Sequence, residues 1–76
     1  MIISSMDPLQ AKYRISDQAS DGSISYYGYL AADGTWYILR ETSAGEYRYC
    51  TGLSGYQAAW VIRHGLPYGY VNEVQW

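Results

Sequence analysis

The chain has 76 residues and a formal net charge of −2, from five Lys or Arg against seven Asp or Glu. The basic residues Lys12, Arg14, Arg40, Arg48 and Arg63 are scattered, which argues against phosphate-driven nucleic-acid binding, and no apolar run approaches the ~20 residues of a membrane helix. A single cysteine, Cys50, and a single histidine, His64, rule out an internal disulfide and cannot complete a four-ligand zinc site, so no metal or other cofactor is expected.

Residues 1–25 are poor in aromatics and rich in Ser, Asp and Gln. Pro8 and the run from Ser16 to Ser23 punctuate them, and they cannot bury enough apolar surface to fold alone. They read as an extended arm or loop ordered by contact, with Lys12-Tyr13-Arg14-Ile15 as a short strand. Neither a positively charged start nor an apolar stretch marks a signal peptide, so folding in a reducing cytoplasm is expected.

From residue 26 to residue 76 the chain reads as a small β-rich domain. Tyr26–Leu30 and Thr35–Arg40 form a hairpin through Ala31-Ala32-Asp33-Gly34, where Gly34 supplies the positive φ of a tight turn. Trp36, Ile38 and Arg40 share one face and Tyr37 and Leu39 the other, so a sheet covered on both faces is expected, by its own helix and by a partner. A second turn, Thr42-Ser43-Ala44-Gly45, leads to a third strand. There Tyr47 and Tyr49 alternate with Arg48 and Cys50, which makes Cys50 a small apolar filler.

Ser54 with Gln57 three positions later is the signature of a helix start, and Tyr56, Ala59, Trp60 and Arg63 follow at helical spacing. Gly65 ends this helix in a left-handed conformation, Pro67 prevents its resumption, and His64 faces its carbonyl end. Tyr68–Trp76 alternates again and reads as a C-terminal strand. The expected fold is therefore α+β and mainly β: a small antiparallel β-meander with one short helix, a C-terminal strand and an extended N-terminal arm.

Ten tyrosines and three tryptophans without a phenylalanine suit surfaces rather than a dry core, because each hydroxyl or indole N–H must find a partner or water. A thin core whose hydroxyls reach solvent by geometry alone accounts for the same composition. Below roughly 70–80 residues a core seldom supplies more than about 3–5 kcal/mol, so oligomerisation or docking on a larger assembly is expected. Tyr13, Ile15, Tyr37, Tyr47, Tyr49 and Trp76 are the candidate interface residues.

No catalytic residues are expected. Cys50 and His64 have no spacing that brings them together, Asp33 is accounted for by its turn, and Glu41, Glu46 and Glu73 by strand ends. No Walker-type loop or dinucleotide fingerprint is present.

The runs Tyr27-Gly28-Tyr29, Asp33-Gly34-Thr35-Trp36-Tyr37-Ile38-Leu39-Arg40 and Tyr47-Arg48-Tyr49 with Gly52, then Tyr56, Trp60, Arg63, Leu66 and Tyr68, resemble a group of small, mostly uncharacterised proteins of tailed bacteriophages. The resemblance covers residues 26–70. It implies a virion-associated structural protein made in a bacterial cytoplasm, without catalytic residues, whose partners are other virion subunits and copies of itself. Capsid decoration, head–tail connection and tail or fibre are the places it suggests. The polar N-terminal segment and the final Trp76 depart from the group's pattern. A different class, a small carbohydrate-binding module, uses the same aromatics but requires two or three coplanar rings on one exposed face.

Overall fold

The computed structural model describes residues 12–74 and 76. Four strands, β1 (Tyr13–Asp21), β2 (Ile24–Ala31), β3 (Trp36–Thr42) and β4 (Tyr47–Cys50), form one antiparallel sheet in the order β1-β2-β3-β4. A short helix α1 (Tyr56–Val61) and a 3-10 turn over Arg63–Gly65 follow. The β-meander with one short helix that the sequence predicts is the observed architecture.

Two hairpins share one turn chemistry. Ala31 N–H donates to Thr35 O and Gly34 N–H to Ala31 O, and the same pattern recurs from Thr42 N–H to Glu46 O and from Gly45 N–H to Thr42 O. In each the closing glycine is left-handed, with φ of 91° at Gly34 and 84° at Gly45, which a residue with a Cβ adopts only under strain. Asp33 adds a side-chain brace: its carboxylate accepts from the Thr35 N–H at 3.0 Å and from the Thr35 hydroxyl at 2.6 Å.

The alternation in β3 sorts the interior as expected. Trp36 and Ile38 point to the helix side and, with Tyr26, Tyr56 and Ala59, make the buried cluster against which Ile24, Leu30, Trp60, Leu66 and Tyr68 pack. Trp36 satisfies its indole by donating to Ser54 O at 2.7 Å, while its own carbonyl accepts from the Thr51 hydroxyl. Cys50, paired with Ile38 across β3 and β4, is buried on this side, and burial pushes its thiol up from the ordinary range.

Several sequence expectations are corrected. The segment read as an arm over 1–25 contributes β1, which runs the full length of β2, from Tyr13 opposite Ala31 to Asp21 opposite Ile24. The polar composition is that of a solvent-washed edge strand, held by backbone pairing rather than by burial of its own side chains. Residues 1–11 of the expected arm lie outside the described residues. The expected C-terminal strand is a single bridge, Tyr49 opposite Gly69, followed by a turn over residues 71–73.

The N-cap of α1 is Gly55, which has no side chain to donate or accept, so the helix starts without the expected Ser54 cap. Its end passes through Ile62 into the 3-10 turn, and the left-handed glycines are Gly22, Gly34 and Gly45 rather than Gly65. His64 does not cap the helix. Its Nε2 lies 2.6 Å from Asp21 Oδ2 at the end of β1, with Arg63 Nη2 at 3.9 Å from the same oxygen.

One contact fixes the helix to the sheet. A bulge in β1 between Ile15 and Asp17 advances the chain by one residue, so that Asp17 stands opposite Gly28 on the helix side. Tyr56 reaches over Gly28 and donates its phenol to Asp17 Oδ2 at 2.7 Å. Burial first, and then this carboxylate, hold the Tyr56 phenol well above the ordinary tyrosine range.

Candidate functional site: a tyrosine face on the sheet

The face opposite α1 is built by register. Tyr13 stands opposite Ala31, Ile15 opposite Tyr29, and Tyr29 opposite Tyr37; Tyr27 stands opposite Leu39 and Leu39 opposite Tyr49. Period-two alternation on four adjacent strands therefore gathers six of the ten tyrosines, Tyr13, Tyr27, Tyr29, Tyr37, Tyr47 and Tyr49, on one surface.

Tyr37 is its hub. Only 5% exposed, its ring stacks on Tyr29 at 4.6 Å and 10°, and meets Tyr13 edge-on at 5.0 Å, Trp76 edge-on at 5.2 Å and Tyr49 at 6.1 Å. Such offset and edge-to-face pairs each add about 0.5–1.5 kcal/mol beyond area burial. Trp76 arrives because the chain turns back after Gly69, whose backbone pairs with Tyr49 in both directions at 2.7 and 2.9 Å. The turn is tied by Tyr70 N–H to Glu73 Oε1 at 2.9 Å, and the Trp76 indole donates to Val71 O at 2.8 Å.

Toward the β4 edge the hydroxyls organise around one carboxylate. Glu41 accepts from Tyr27 at 3.2 Å through Oε1 and from Tyr47 at 3.1 Å through Oε2, linking three strands. The bond to Glu41 raises the Tyr47 phenol above its ordinary value, and burial does the same for Tyr29.

All the candidate residues read from the sequence fall on this face. Tyr13, Tyr37, Tyr49 and Trp76 are brought together; Ile15 lies on the β1 edge and Tyr47 on the β4 edge. Ile15, Tyr47 and Trp76 present open surface, with 56%, 48% and 46% exposure. Tyr37, read as an interface residue, is instead the buried support of the others. Sequence reading passed over Tyr27, Tyr29, Leu39 and Glu41, although the pairing of Tyr29 with Tyr37 follows from counting back through the Gly34 turn.

Beside Trp76 a pocket of about 380 Å³ opens between Lys12, Tyr13, Thr35, Thr51, Leu53 and the indole. Among the described residues no group of His, Cys, Asp and Glu is placed to hold a metal, and no helix is long and apolar enough to cross a membrane. Chemically the face offers aromatic area with phenol donors and one engaged carboxylate, which suits binding. No protein-family model, curated protein or solved structure matches this chain.

Proposed function

We propose that this protein is a non-enzymatic structural subunit of a bacteriophage virion, which binds neighbouring protein subunits through its tyrosine face. The observation that carries the binding part is the Tyr37 hub, packed by Tyr13, Tyr29, Tyr49 and half-exposed Trp76, with half-exposed Ile15 and Tyr47 at the two edges of the same sheet face. Aromatic rings with few torsions, rigidly supported from below and rimmed by phenol hydroxyls, give contact area at low entropy cost. The virion part rests on the motif resemblance over residues 26–70.

Ring orientation favours a protein partner over a sugar. The rings around Tyr37 stand at 83°, 79° and 46° to it, and Trp76 stands at 66° to Tyr49. The near-parallel pair, Tyr29 and Tyr37, is stacked ring on ring rather than laid side by side as a pyranose platform requires. Mass spectrometry of purified phage particles, with copy number measured against the major capsid protein, tests the proposal. Multiple copies per particle are expected, and absence from the particle would overturn it.

A further inference from the structure

The two edges of the sheet differ. β4 is four residues long and Gly69 pairs with it at Tyr49, whereas β1 has nine residues and no strand on its outer side among the described residues. A long unpaired edge is a template for another strand unless the sequence blocks it. β1 has no proline or lysine, and its charges and bulge, devices that can block an edge, complement themselves in one register.

The bulge at Ser16 decides which residues share a side. Three positions apart, Arg14 and Asp17 would fall on opposite faces of a regular strand; the extra residue returns both to the helix side, opposite Leu30 and Gly28. Both are exposed, and Arg14 has no ion pair among the described residues. Ile15, on the tyrosine side between them, is 56% exposed.

We propose that two copies of the chain pair antiparallel through β1, about a two-fold axis at Ile15, joining their sheets into one. In that register Ile15 meets Ile15 of the second copy, Arg14 meets its Asp17, Asp17 meets its Arg14, and Tyr13 meets its Gln18, each pair on one face. Each copy's bulge then stands opposite the other's Arg14, so the extra residue is accommodated in the ladder. An axis at Asp17 would oppose two carboxylates. An axis at Gln18 sets Arg14 against Asp21, but that carboxylate already faces the Arg63 guanidinium and the His64 imidazole, whereas among the described residues Asp17 accepts only from the hydroxyls of Tyr56 and Ser16, and Ile15 is left facing Ser20. Of the three registers the Ile15 one satisfies charge and apolar area together, and it leaves Tyr47, Tyr49 and Trp76 of the tyrosine face free for a different neighbour.

The test is sedimentation velocity of the full chain up to about 100 μM, because edge pairing buries less than a standard ~1,600 Å² interface and is correspondingly weak. The mass is expected to approach twice the 8.6 kDa of one chain. Ile15→Lys and Arg14→Asp should each return it to one chain mass with an unchanged circular dichroism spectrum. An equimolar mixture of Arg14→Asp with Asp17→Arg should restore the dimer, since two acids on one edge then face two guanidiniums on the other. Should Asp17→Arg fail to fold for want of the Tyr56 acceptor, Ile15→Lys and Arg14→Asp still decide the matter. A wild-type monomer throughout, or a dimer that survives both variants, overturns the proposal. A dimer lost in Tyr47→Glu but kept in Ile15→Lys overturns it too, while leaving the tyrosine-face reading standing.

Discussion

Gly28→Ala isolates the contact that locks the helix to the sheet. A Cβ at Gly28 would lie 1.9 Å from the Tyr56 phenol oxygen, 2.8 Å from Cζ and 2.9 Å from Cε1, so the ring itself must move, and Tyr56 is only 7% exposed. The backbone of Gly28 is not left-handed, so alanine suits the strand and the penalty is steric. Overpacking of this kind costs about 1–3 kcal/mol, and displacing the phenol from Asp17 forfeits a bond to a charged group, about 1.5–3 kcal/mol more. The two together, about 2.5–6 kcal/mol, correspond to a fall in Tm of at least roughly 10 °C and up to about 40 °C or more for a domain of this size. Thermal and urea unfolding of wild type, Gly28→Ala, Tyr56→Phe and the double variant measure it as a cycle. Removing the phenol oxygen removes the closest clash, so Gly28→Ala should cost clearly less in the Tyr56→Phe background. An equal cost in both backgrounds, or none in wild type, would refute the reasoning.

Trp36→Ala should cost about 3–5 kcal/mol in urea unfolding, the range for a fully buried large aromatic, and Trp60→Ala distinctly less, because Trp60 is only partly buried against the core cluster. Alkaline pH should unfold the protein: Tyr56 and Tyr68 are held protonated in the fold, chiefly by burial, whereas their unfolded value is 10.0. Their contribution is complete below that pH and is lost progressively as pH rises from there toward the raised folded values, and Tyr56→Phe should flatten the decline in Tm. Cys50 should react with a thiol reagent many-fold more slowly in the native chain than in urea, since burial both covers the thiol and raises it.

The elements legible in the sequence were those whose signals are local. Gly34 and Gly45 announce their turns, and Trp36 and Ile38 alternating with Tyr37 and Leu39 give the two faces. What escaped depends on partners distant in sequence. β1 carries no apolar rhythm because its burial pattern is mostly exposed, and its strand character comes from pairing with β2. The bulge at Ser16 is legible only from the register, although it places Asp17 under Tyr56, 39 residues away. His64 has an apt position for a helix cap but finds Asp21, 43 residues back, and Ser54 falls one residue before the N-cap, Gly55. The candidate face was half legible: Tyr47 and Tyr49 from alternation in one strand, Tyr27 and Tyr29 only once the strands are laid side by side.

The abundance of this chain in purified phage particles, compared between wild type, Tyr47→Glu and Val61→Glu, tests the central claim most directly. Tyr47 is 48% exposed on the tyrosine face and Val61 is 73% exposed on α1, so the variants differ in the surface they charge; because Tyr47→Glu faces Glu41, circular dichroism of both variants is compared with wild type first. Loss of one contact worth more than about 1.4 kcal/mol reduces occupancy by about tenfold or more when subunits are limiting. Tyr47→Glu should show that reduction and Val61→Glu wild-type abundance; equal incorporation of the two variants, or loss of Val61→Glu alone, would rule out docking through the tyrosine face.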